Sequence, residues 1–85
     1  MPKALEEKAN KLRLELAAIN DKLEALSREE RALREAASGA SGREREKLLR
    51  EAYRKRKEWD SLWKTSMDIG IRLSRIEEIL RKGGE

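Results

Sequence analysis

The sequence predicts an all-α fold, an antiparallel two-helix hairpin of coiled-coil character, and three observations carry that prediction. Apolar residues recur at alternating steps of four and three along both halves of the chain. A single strong break, Ser38-Gly39-Ala40-Ser41-Gly42, separates the halves. Charged residues fill 45% of the 85 positions and aromatics 4%, with Ala, Leu, Glu, Lys and Arg prominent, a composition that suits long helices better than a mixed globule.

The first helix is expected over about 3–38. Pro2 fits its first turn, and Glu6 and Glu7 complement the positive end of its dipole. Its seam reads Leu5, Ala9, Leu12, Leu16, Ile19, Leu23, Leu26, Glu30, Leu33, Ala37. Gly39 is expected to supply a left-handed end to this helix within a loop at about 38–42. Ser41, with Glu44 three residues on, forms the capping-box pattern that opens a second helix over about 42–82, ending at Lys82 and Gly83. The seam of the second helix is Leu48, Ala52, Lys55, Trp59, Leu62, Ser66, Ile69, Leu73, Ile76, Leu80. So short a connector makes the helices antiparallel neighbours within one domain, 1–85. Each seam holds one charged exception, and folding about the loop brings Glu30 and Lys55 to nearby levels. A partly buried pair between them is expected to fix register, with two solvated side chains as the alternative.

The second helix is apolar over a wider arc than its neighbour requires. At 100° per residue, Leu49, Trp63, Met67 and Gly70 fall beside its seam on one flank. The facing flank of the first helix offers Arg13, Asn20, Ser27 and Arg34, poor cover for a tryptophan. A lone hairpin also leaves its core half wet. The expected remedy is a second copy of the chain, giving a homodimeric four-helix bundle. Leu49, Trp59, Trp63, Ser66, Met67, Gly70 and Ser74 are the expected interface residues. Ser66, Gly70 and Ser74 lie four apart and would admit close approach, with Trp63 set over the glycine of the partner.

Several function classes lose their chemistry. The chain has no Cys and no His, which removes thiolate and imidazole nucleophiles, bases and metal ligands. Adjacent carboxylates such as Glu29–Glu30 and Glu77–Glu78 point to different helix faces, and the loop lacks the context of a phosphate-binding loop. No catalytic activity, cofactor or metal is expected. No apolar run approaches the roughly 18 residues of a membrane span and no signal pattern opens the chain, so a soluble molecule is expected, its compartment left open. The net charge is +4, and Lys47, Arg50, Arg54, Lys57, Lys64, Arg72, Arg75 and Lys82 share an outer stripe of the second helix. Glu46 and Asp68 interrupt that stripe, and the expectation is a solvated exterior, with a nucleic-acid-associated coiled coil and a helical binding module for a foreign protein as the alternatives.

Two resemblances accompany these readings. The "MPKALEEK" opening, the "SGASG" connector, the "SGRE" cap, the "RKGGE" stop and the dense Lys/Arg/Glu/Ala/Leu filling resemble computationally designed helical bundles. That resemblance implies a chain made to fold, to self-assemble or to bind a target. The segment "SGREREKLLREAYRKRKEW" is similar to the helix opening of the meiotic homologous-pairing, TBP-interacting coiled-coil family, with Lys57, Glu58 and Trp59 matching its "KEW" tripeptide. In that family a dense basic run follows, whereas "DSLWK" follows here. The resemblance implies a DNA-related coiled coil.

Overall fold

The computed structural model describes residues 3–83, and they form two long helices, α1 (Lys3–Ser38) and α2 (Gly42–Gly83). Pro2 and the Gly84–Glu85 end of the stop signal lie outside the described residues. Helices of 36 and 42 residues fold back on each other into a rod of 65 × 14 × 14 Å. Its radius of gyration is 18.9 Å. A compact domain of this length would have about 12 Å. One side of each helix therefore meets its neighbour and the remainder faces solvent.

Every position of the two seams is buried or half-buried. Toward the open end of the hairpin, Ala9 and Leu12 pack with Ile69, Leu73 and Ile76, flanked by Leu5, Leu16, Ile19 and Leu80. Leu23 and Leu26 are buried midway, and Leu48, Leu62 and Leu33 are half-buried. The buried leucines and isoleucines still expose 6–8% of their surface, because a single layer of two helices closes completely only over alanines such as Ala9 and Ala52 and not over larger side chains. No polar side chain is fully buried among the described residues, although half-buried Glu30, Lys55 and Ser66 interrupt the apolar seams.

The loop differs from its expected form. Gly42 carries the left-handed backbone, at φ 64°, and Gly39 does not. The end of α1 tightens instead: Gly39 N donates to Ala36 O at 3.2 Å and Ala40 N to Ala37 O at 3.1 Å. Ser38 Oγ also donates to Glu35 O at 2.7 Å. These three-residue closures satisfy orphan carbonyls without a left-handed cap. The reversal then falls on the last glycine of the loop, which opens α2.

The expected pair of Glu30 with Lys55 is also corrected. Lys55 Nζ bonds Glu29 Oε1 at 3.0 Å, while Glu30 accepts Arg34 Nε at 2.9 Å and lies 4.0 Å from Arg56. The ammonium swings out of the seam to a rim carboxylate, where water still reaches it, sooner than lie between apolar layers. Glu30 stays inward, its side chain only 15% exposed, held by guanidinium groups from both helices. At the open end, Arg13 Nη2 bonds Glu77 Oε2 at 2.8 Å, a second tie across the hairpin.

Two outcomes follow from this packing. Ile69→Ala opens the core cluster near the open end and is expected to cost about 2–3 kcal/mol in urea unfolding, the lower part of the core range because the seam is part-solvated. The hydrogen bond and the charge of Glu29 raise the Lys55 pKa above its ordinary 10.5. A folded-state value raised above the unfolded one gives stabilisation that is complete below the ordinary lysine range and disappears as pH climbs through the folded value. The stability difference between the parent and Lys55→Met, followed by thermal unfolding against pH, should therefore shrink in strong alkali.

Candidate functional site

A helix that presents its seam to one neighbour has two flanks, and in α2 the flanks are unlike. On one flank the four-three pattern repeats a second time, in Trp63, Met67, Gly70 and Ser74, rotated outward from the seam. Trp63 is 44% exposed, Met67 48%, and Ile71, one turn beyond Met67, 50%. Ser66, Met67, Gly70, Ile71 and Ser74 line a shallow groove along this flank, bounded by Arg75 and Glu78. Of the other expected interface residues, Leu49 is exposed farther toward the loop, Trp59 and Ser66 are half-buried, and Ser74 is exposed.

An aromatic pair stands next to the groove on its loop side. The Trp59 and Trp63 rings stack with centroids 6.3 Å apart and an interplanar angle of 14°. The Arg56 guanidinium sits 5.0 Å from the Trp59 ring centre. This ladder fixes Trp63 by contact on one face and leaves its other surface to solvent. Ser66 turns its hydroxyl inward, donating to Trp63 O at 2.9 Å, so it adds little polarity to the groove floor.

Gly70 has no steric duty inside the hairpin. A Cβ added there meets nothing within 4 Å. Its φ is not positive, so no backbone strain demands glycine either. A mid-helix glycine costs roughly 1 kcal/mol relative to alanine. Neither the packing nor the backbone of one chain offsets that cost.

The remaining surface is different in kind. On the opposite flank, Lys22, Glu29, Lys55 and Glu58 surround Leu26 and Leu62, and the Lys55–Glu29 ion pair bridges this cleft. Along the basic stripe, Arg72 pairs with Asp68 at 3.1 Å and Lys82 with Glu78 at 3.2 Å, while Lys57 lies 5.4 Å from the Tyr53 ring centre. Several cations are thus already engaged within their own helix. Among the described residues no group of three or more acidic side chains is placed to hold a metal ion, and no helix is long and apolar enough to cross a membrane.

Sequence reasoning missed Ile71, Tyr53 and Ile79 on α2 and Leu14 on α1, all more than half exposed or at half. Ile71 was legible as the residue one turn after Met67; Leu14 and Ile79 stand apart from the groove and carried no pattern. The chain matches no protein-family model, no curated protein and no solved structure.

Open space at Gly70 gives a direct expectation. At concentrations low enough for a single hairpin, Gly70→Ala should raise helicity and stabilise the chain by up to about 1 kcal/mol in thermal unfolding. If the single hairpin loses stability, some contact to Gly70 exists within the chain itself.

Proposed function

We propose that this chain is a structural, self-assembling helical hairpin, a homodimer in which two hairpins complete a four-helix bundle through α2, with no catalytic role. In keeping with its resemblance to designed bundles, it is read as an assembly unit made for that purpose. The observation that carries this reading is the exposed flank of Trp63, Met67 and Ile71 around a glycine that nothing in its own chain requires. Large apolar side chains grouped on one face mark an interaction surface.

The exposed area supports it. The chain presents 6761 Å² to solvent at a mass of 9.9 kDa. A compact monomer of that mass would present about 5,200 Å². The excess exceeds the roughly 800 Å² per partner that a standard stable interface removes. Pairing two rods side by side supplies the second layer that one hairpin lacks.

Association and folding are then linked. Over a roughly hundredfold range of protein concentration, apparent stability should rise by as much as about 2.7 kcal/mol per dimer, read from unfolding midpoints. Sedimentation should give twice the chain mass at the upper end of that range. A midpoint independent of concentration, together with the mass of one chain, refutes self-assembly and leaves the flank to a foreign helix.

A further inference from the structure

About Met67, the exposed flank of α2 sets a large residue opposite a small one and a positive charge opposite a negative one, and this self-complementarity fixes how a second copy lies on it. Outward from Met67, the flank meets Trp63 on one side and Gly70 on the other, then Asp60 and Ser74, then Arg56 and Glu77. Each step away from Met67 therefore pairs a large residue with a small one, two groups able to share a hydrogen bond, or two opposite charges. We propose that a second copy of this chain lies antiparallel across α2 with its two-fold axis at Met67, in the register that seats Trp63 on the partner's Gly70 and sets Arg56 against the partner's Glu77. The inference rests on the self-association proposed above and names the arrangement it takes.

Alternative arrangements lose these matches. A parallel pair would set Arg56 on Arg56 and Glu77 on Glu77, and would leave the glycines facing each other across a void. Sliding the antiparallel pair by one heptad in one direction stacks Trp63 on the partner's Trp63 and Arg56 on the partner's Gly70. Sliding it the other way sets Trp63 against the partner's Glu77 and again leaves glycine on glycine. A two-fold interface must be self-complementary, and one register satisfies every pair.

The geometry of the single chain is compatible with this arrangement. Gly70 has no neighbour within 4 Å of an added Cβ, so the space above it is free to receive an indole. Trp63 is already held by its stack on Trp59 and loses little freedom on docking. Arg56 and Glu77 are about half exposed: Arg56 lies 3.6 Å from Asp60 and 4.0 Å from Glu30 and rests on the Trp59 ring. Glu77 accepts Arg13 Nη2 at 2.8 Å through Oε2, so the partner's Arg56 shares that carboxylate with Arg13. Each of these charges lies about 16 Å along the helix from the axis. Both side chains are long enough to span the divergence that a crossing near 20° opens at that distance.

The test uses Arg56→Glu and Glu77→Arg, alone and mixed one to one, followed by analytical ultracentrifugation. Each variant alone sets like charges together twice and should weaken dimerisation by about tenfold or more. In the mixture both pairs become attractive, and the heterodimer should return to within a few fold of the parent affinity. If both variants dimerise as the parent does, or if the mixture is no tighter than its components, the register is wrong. Because Glu77→Arg also loses its bond to Arg13, a second measurement stands apart from it. Met67→Cys, the sole cysteine in its chain, should form an interchain disulfide across the axis far faster than Ile79→Cys on the other flank. Equal rates overturn the register. A dimeric parent with no heterodimer recovery and no preferential cross-link leaves self-association standing and refutes this arrangement, whereas a monomeric parent refutes both.

Discussion

The rest of the molecule depends on one apolar seam, in which Ala9 and Leu12 of α1 meet Ile69, Leu73 and Ile76 of α2. Neither helix is secured by its own residues alone, since isolated helices in water owe little to propensity and most to what they bury. The seam supplies that burial along the rod, and it settles which side of α2 remains outside. Once Ser66, Ile69 and Leu73 turn toward α1, the residues one step round the helix must face solvent. Trp63, Met67 and Gly70 occupy those positions. The candidate surface is thus a consequence of the core's register.

The charges at the rim show how the register is held without polar groups inside. The interior contains no buried polar side chain among the described residues, and apolar knobs discriminate poorly between neighbouring registers when they are mostly Leu and Ile. Arg13–Glu77 near the open end and Lys55–Glu29 toward the loop tie the helices at two separated levels. Exposed pairs of this sort contribute little stability each, on the order of 0–1 kcal/mol. Their placement matters more, because a slip of the hairpin would break both together.

Much of this was legible in the sequence, and the reasons are specific. The seams were readable because four-three spacing over several heptads admits one helical interpretation, and each of those positions is at least half-buried. The left-handed residue of the loop was not: Gly39 and Gly42 are chemically equivalent, and which one reverses the chain depends on how α1 tightens at Ala36 and Ala37. The partner of Lys55 was not legible either. Position along a seam fixes the level of an α-carbon, whereas a lysine ammonium several bonds away selects among every carboxylate within reach, and Glu29 offered the wetter site. On the candidate surface, Trp63, Met67 and Gly70 followed from helical angle alone; away from it, the exposure of Tyr53 and Ile79 required knowledge of what α1 leaves uncovered.

Gly70 is the feature of this surface that exposure alone does not explain. An exposed apolar residue is common on any small protein and carries little information by itself. A glycine in the middle of a 42-residue helix is different, because it weakens that helix and nothing within the hairpin requires it. The same stretch holds Trp63 in a stack and keeps Ser66 bonded to its own backbone, so a stiff side chain stands beside the groove while the space above Gly70 is free of steric obstruction. A stiff projection beside a matching recess, a short distance apart on one helix, can meet a copy of itself only when the two helices run in opposite directions. In the proposed dimer, one helix carries both halves of the contact, and the antiparallel direction follows from their order along the sequence.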